Sequence, residues 1–216
     1  MKLRLHSYWR SSSAYRVRIG LAIKGLEYET VPVNLLASAQ TAEAYRSVSP
    51  MGHVPCLEID GEPFVESVAI LQLLDALCPG PRLFPEDPRQ RAHLMALVEI
   101  VNSGTQPLQN LVVLNRLPED GRRAWGAHFI GRGLGAFEAL MEQNAARGVV
   151  GPFAFGAELG AADAFLVPQV YNARRFGVDL AAYPRVAAAE AAAVATVPLR
   201  AAHPDVQPDA PPPAAP

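Results

Sequence analysis

Within its first eighty residues the chain switches repeatedly between the two-residue period of a strand and the helical period, and after Pro88 the strand period does not return. That one-way switch divides the chain into an α/β part followed by a helical part. Leu3 and Leu5 alternate with polar neighbours across Lys2 to His6, which predicts an opening strand. Ala14, Val17 and Leu21 then recur at helical spacing until Lys24-Gly25 provides a stop. Tyr28 to Val33 is β-branched and predicts a second strand, parallel to the first because a helix intervenes. Val54 to Ile59 predicts a third, and Asp60-Gly61 is a two-residue hairpin signal into Pro63 to Val65. Ser67 is placed to cap a helix carrying Ile70, Leu73, Leu74 and Leu77, which stops before Pro79-Gly80. The first part therefore reads β-α-β, a long connection, then β-β-α.

Pro79 to Pro88 is rich in proline and charge, as a connector is, and helical faces follow: Leu94, Leu97, Val98 and Val101; Trp125, Phe129, Phe137 and Met141; Ala161 to Phe176; Val186 to Ala195. Pro107 is expected to kink or end the first of these. The expected organisation is an α/β domain over 1–80, a linker over 81–88, an all-α domain over 89–205 and a proline-rich tail over 206–216 with too little apolar bulk to pack.

Half of the 216 residues are apolar, enough for a sizeable core, and the net charge of -2 offers no positive field for nucleic acid. Two cysteines, Cys56 and Cys78, fit neither a disulfide framework nor a zinc or Cys-x-x-Cys site. The N-terminal residues lack the apolar run of a signal peptide, and no stretch has the apolar length of a membrane span. The expectation is a cytoplasmic protein away from membranes. Its five histidines show no metal-ligand spacing, so no metal is expected.

Three places carry groups suited to chemistry. Ser11-Ser12-Ser13 stands at a helix start, where free N–H groups and the helix dipole stabilise an anion, a thiolate included. Taken alone, the triplet also reads as one N-cap and two loop residues. His53-Val54-Pro55 enters the third strand; a cis proline would leave the Val54 backbone open to an extended ligand, a trans proline would simply begin the strand. Glu66-Ser67 opens a helix, where the hydroxyl suits a carboxylate and Glu66 an ammonium, or where the pair is a cap beside an exposed acid. The order loop, strand entry, helix entry is that of groups which a thioredoxin-like sheet collects at one edge.

The run Ser11-Ser12-Ser13-Ala14-Tyr15-Arg16-Val17-Arg18-Ile19, with Lys24 to Leu35, Ser49-Pro50-Met51-Gly52-His53-Val54-Pro55, Glu66-Ser67, Gln106 to Leu111, Ala162-Asp163, Val167 to Val170 and Arg175 to Leu180, resembles the zeta-class glutathione transferases, also called maleylacetoacetate isomerases. The resemblance covers nearly the whole chain apart from the tail. It implies a thioredoxin-like glutathione domain, a helical domain completing the substrate pocket, a homodimer, and glutathione as cofactor. It further implies that Ser11 stabilises the glutathione thiolate, with Ser12 and Ser13 beside it. By the same resemblance His53, Val54, Pro55, Glu66, Ser67, Gln106 and Asn110 bind glutathione. Arg10 and Arg175 are the candidates for the two carboxylates of a dicarboxylic cis-enone, because guanidinium forks match carboxylates. Arg174 points about 100° away from Arg175 and is the weaker choice.

Two departures stand out. Where the family has Ser-Ser-Cys-Ser, this chain has Ser11-Ser12-Ser13-Ala14, and Gly160 stands where the family has a Ser or Thr cap three residues before Asp163, which should weaken that helix start. The implied reaction is isomerisation of maleylacetoacetate. Isomerisation of maleylpyruvate, or conjugation and dehalogenation of α-halo acids on the same scaffold, are the alternatives; a non-catalytic binding protein is opposed by the retained Ser11.

Overall fold

Along β1 (Leu3–Ser7) Leu3 and Leu5 are buried while Arg4 and His6 are partly exposed, the alternation of a strand with one face in the core. β1 sits inside a four-stranded sheet of order β2-β1-β3-β4. β2 (Glu29–Pro32) runs parallel to it, and β3 (Cys56–Ile59) and β4 (Glu62–Val65) form an antiparallel hairpin, β3 pairing with β1. The hairpin turns on Asp60 and Gly61, both at positive φ (52° and 92°), as a tight two-residue loop of the primed type requires. In chain order the helices are α1 (Ser12–Ile23), α2 (Glu43–Arg46), α3 (Ser67–Leu77), α4 (Pro88–Asn102), α5 (Leu111–Leu114), α6 (Glu119–Ala146), α7 (Ala161–Phe176), α8 (Pro184–Val194) and α9 (Val197–Ala202). This computed structural model describes residues 1–212, and its sheet and helices have the glutathione transferase architecture expected from the sequence.

The chain forms two units, one from Met1–Pro81 together with the segment from Val197 onward, the other from Arg82–Thr196. In the first, Leu3, Leu5, Leu57 and Ile59 of the sheet meet Val17 and Leu21 of α1 and Ile70 and Leu74 of α3 in one core. From Ala14 to Ile23 every residue of α1 except Ala22 is buried, because α9 packs on α1 as α3 does. The buried set includes Arg16 and Arg18, each 1% exposed. Lys24, at the end of α1, is buried against Asp75 of α3 (2.9 Å) and also donates to the Cys78 carbonyl. An ammonium so enclosed needs both partners.

The C-terminal segment departs from the expected domain bounds. α9 belongs to the first unit rather than to a helical domain reaching residue 205. Nor are residues 206–212 an unpacked tail: the Gln207 amide donates to the carbonyls of Ala201 and His203, and the Asp209 carboxylate accepts the Trp9 N–H (2.8 Å). Polar groups hold this stretch where apolar bulk is lacking. Residues 213–216 of the expected tail lie outside the described residues. The expected linker is also part of a folded unit, since Leu83 and Phe84 are buried and the Leu83 carbonyl accepts the Ala161 N–H. Within it, α4 ends at Asn102 and Pro107 sits in a separate 3₁₀ turn, Gln106–Gln109, so Pro107 does not terminate α4.

α7 is the core helix of the second unit, buried continuously from Ala161 to Val170. Its start explains the glycine in place of a hydroxyl cap: a Cβ on Gly160 would lie 3.1 Å from the Leu83 carbonyl oxygen, leaving little room for a side chain. Asp163 supplies the cap by itself, accepting the N–H groups of Gly160 (3.0 Å) and Ala154 (2.8 Å). Burial pushes its carboxyl up to about 6 from the ordinary 3.8, despite these bonds. Between those two values the folded protein keeps a proton that the unfolded chain has lost, so this group's contribution to stability is greatest in acid and declines as pH rises through 6. Asp163→Ala leaves two buried N–H groups unmet and should cost about 2–4 kcal/mol. Urea denaturation should show the gap between parent and variant narrowing as pH rises from 3.8 to 6.

Candidate active site

Strand register brings the first unit's candidate residues to one edge of the sheet. His6 near the end of β1 pairs with Cys56 at the start of β3, and Cys56 pairs with Val65 at the end of β4. The loop leaving β1, the entry to β3 and the exit from β4 therefore open at the same edge: Tyr8 to Ser13, His53 to Pro55, and Glu66-Ser67.

In the first of these, the Ser11 N–H closes a turn on the Tyr8 carbonyl (2.9 Å), and Ser11 becomes the N-cap of α1, its Oγ accepting the Ala14 N–H at 3.2 Å. A hydroxyl that accepts this bond still has its own proton to donate. Ser12 and Ser13 are the first two helical residues, half-buried beside it. Arg10 is also half-buried, with its guanidinium 5.4 Å from the Trp9 ring centre.

At the strand entry the Val54-Pro55 bond is cis, and Val54 lies beyond the last β1–β3 pair. His53 is exposed, but its carbonyl accepts from both Tyr45 Oη (2.7 Å) and Ser49 Oγ (2.8 Å). Burial pushes the Tyr45 phenol up, keeping it a donor. At the helix entry Ser67 is not the cap expected from the sequence: Glu66 occupies that position without a side-chain capping bond, and Ser67 is the first helical residue. The Ser67 hydroxyl instead accepts from the buried Arg16 guanidinium (3.2 Å), which ties α1 to the start of α3. Glu66 has a φ of 69°, a backbone conformation that L residues adopt at a cost of about 1–3 kcal/mol. The Cys56–Val65 pairing before it and the Ile70 N–H on its carbonyl hold it there. Arg16, Tyr45 and Ser49 have no reading as positioning residues in the sequence, because a buried arginine or tyrosine shows no period that sets it apart from its helix.

The chain's own thiols do not serve this edge as nucleophiles. Cys56 is wholly buried and burial pushes its thiol up to about 11, while Cys78 is buried at the end of α3.

The other candidates lie in the second unit. Gln106 opens the 3₁₀ turn and Asn110 ends it, both half-buried. The turn is anchored by the buried Gln109 amide on Gln169 Oε1 (2.7 Å) and by the Trp125 indole N–H on the Leu108 carbonyl (2.9 Å). Arg175, exposed near the end of α7, donates to Asn172 Oδ1, whereas Arg174 forks onto Glu190 at 2.7 and 2.8 Å. A cleft of about 380 Å³ in this unit is lined by Leu83, Phe84, Gln90, Leu94, Val149 and Phe155, none of them a candidate residue. Among the described residues no helix is long and apolar enough to cross a membrane.

Residues 1–76 match the family model for the glutathione S-transferase N-terminal domain. A Drosophila melanogaster protein named as a probable maleylacetoacetate isomerase is 44% identical over 96% of this chain and 90% of its own length. The chain belongs to the zeta-class glutathione transferases, the maleylacetoacetate isomerase family. A crystal structure of maleylacetoacetate isomerase from Anaeromyxobacter dehalogenans 2CP-1, with glutathione bound in its active site, is 50% identical, with a TM-score of 0.87 over 97% of this chain and 98% of that one. The holo structure of a bacterial zeta-class maleylpyruvate isomerase is 34% identical, with a TM-score of 0.91 over 96% of this chain and all of that one. Against the zeta-class pattern the cysteine exchanged for Ser13 lies two residues past the cap, so the Ser11–Ala14 capping bond is unaffected. In the absence of ligand, Ser11→Ala should lower stability by about 1 kcal/mol, the usual cost of losing an N-cap, as measured by urea denaturation.

Proposed function

We propose that the chain is a glutathione-dependent cis-trans isomerase that converts maleylacetoacetate to fumarylacetoacetate. The observation that carries this reading is the gathering, at one sheet edge, of a hydroxyl at a helix N-terminus, an open strand entry and an acid–hydroxyl pair at a second helix start. Those groups match the γ-glutamyl and cysteinyl parts of glutathione. Glu66 is an exposed carboxylate for its ammonium. Ser67, which accepts from Arg16 and still has its own proton to give, stands at the α3 N-terminus, where a carboxylate is favoured. Val54 offers backbone groups to the cysteinyl unit, flanked by Pro55 and by the exposed His53, and Ser11 meets the sulfur. The resemblance adds Gln106 and Asn110 to this set.

Bound there, glutathione would supply a thiolate that adds to a conjugated cis double bond, permits rotation, and leaves again. A free thiol ionises at about 8.5, so the chain must stabilise the anion near neutrality. The Ser11 hydroxyl donates a hydrogen bond to the thiolate sulfur, and the first turn of α1, including Ser12 and Ser13, adds the positive end of the helix dipole. Cys56, held neutral by burial, does not compete as a thiolate. Arg10 and Arg175 are assigned to the substrate's two carboxylates. A homodimer in the cytoplasm completes the proposal.

Maleylpyruvate is the second substrate candidate, favoured by the likeness to the maleylpyruvate isomerase structure. Maleylacetoacetate is preferred because that name belongs to several relatives at 41–44% identity. A spectrophotometric assay of both substrates, with and without glutathione, separates these readings. Turnover should require glutathione and favour maleylacetoacetate, and Ser11→Ala should lower kcat/KM by about 10²–10³-fold, as loss of one donor to a reacting anion does. That exceeds what a lost cap explains. Turnover indifferent to glutathione or to Ser11 would sink the proposal, and activity on α-halo acids alone would replace it with a transferase or dehalogenase.

A further inference from the structure

The turn that delivers Ser11 is gripped on both sides of one peptide residue. The Trp9 N–H donates to Asp209 Oδ2 at 2.8 Å, across 200 positions of sequence, and the Trp9 carbonyl accepts from Arg18 Nη2 at 2.9 Å. Immediately before and after it, the Tyr8 carbonyl takes the Ser11 N–H, and the Trp9 ring carries the Arg10 guanidinium. Asp209 itself sits in a folded stretch. Gln207, two residues before it, is buried and bonds back to Ala201 and His203, the His203 ring meets the Tyr15 ring edge-on, and the Ala210 N–H closes on the Gln207 carbonyl. Arg18 reaches the same region, donating to the Ala202 carbonyl at the end of α9.

We propose that Asp209 is a positioning residue: by holding the Trp9 N–H, the C-terminal segment sets the turn that presents Ser11 to the glutathione sulfur and Arg10 to a substrate carboxylate. This rests on the isomerase reading for its kinetic consequence, but the mechanical link stands apart from it. Asp209 touches neither reacting atom. It acts through the peptide, as an acceptor oxygen held in place for the Trp9 N–H where mobile water would not fix the turn. The turn has no regular ladder of its own to lean on, so removing this acceptor frees the residues on which reacting geometry depends.

The test compares the parent with Asp209→Ala and Asp209→Asn, at a temperature where circular dichroism shows all three folded. In Asp209→Ala, amide hydrogen exchange over residues 8–11 should quicken by about tenfold while the β1 amides stay protected. Its kcat/KM for the isomerisation should fall by about tenfold, mostly in kcat. Asp209→Asn, which keeps an acceptor oxygen, should recover most of both. Unchanged exchange over residues 8–11 in Asp209→Ala overturns the proposal whatever the activity, and so does equal damage from both variants. If exchange quickens and Asn restores it in a parent that shows no glutathione-dependent turnover, the link to the turn stands and the isomerase reading is what fails.

Discussion

A guanidinium taken out of water must have its N–H groups met by fixed acceptors, and in the first unit the placement of those acceptors for Arg18 organises much of the rest. Its partners are the Ser7 hydroxyl at the end of β1, the Trp9 carbonyl in the following loop and the Ala202 carbonyl at the end of α9, and its carbon lies 5.1 Å from the Tyr15 ring centre. Burial lowers its pKa to about 10, which still leaves it charged at neutral pH. An unmatched charge at 1% exposure would be very costly, so strand end, loop and C-terminal helix have to meet around it together. Arg16, two residues earlier on the same helix, makes the corresponding link to Ser67 at the start of α3.

These two links, with a third at the His53 peptide, fix the segments at the sheet edge. Register alone brings three segments to the same edge, but segments without a ladder wander unless something holds them. Arg18 holds the Ser11 loop, Tyr45 and Ser49 hold the His53 peptide before the cis proline, and Arg16 holds the helix start beside the strained Glu66. Each fixed segment then offers one kind of group: a hydroxyl at a helix N-terminus, open backbone, a carboxylate with a second hydroxyl. Such an edge suits a tripeptide with a thiol in its middle and charges at its end.

Much of this was legible in the sequence. Alternating Leu3 and Leu5, the Asp60-Gly61 turn and the stripe from Ile70 to Leu77 lead to the strands and helices found, because each is a local pattern with a local cause. What the sequence concealed depends on distant partners. The C-terminal stretch reads as unpacked because its apolar content is low, yet Asp209 and Gln207 fix it with hydrogen bonds to backbone that no composition reveals. Ser67 reads as a cap because nothing local marks Arg16 as its partner. Gly160 reads as a weakened helix start, and the close approach of the Leu83 carbonyl, the reason for the glycine, is a matter of packing between elements far apart in sequence.

Bound at this edge, the thiol of glutathione, which the protein itself does not supply, should ionise at lower pH than in solution. Ultraviolet titration of the thiolate in the complex with glutathione measures that directly. Ionisation should fall about 2 units below the free-thiol value of about 8.5, the effect of a hydroxyl donor and a helix N-terminus acting together. A bound thiol that ionises where the free one does would contradict it.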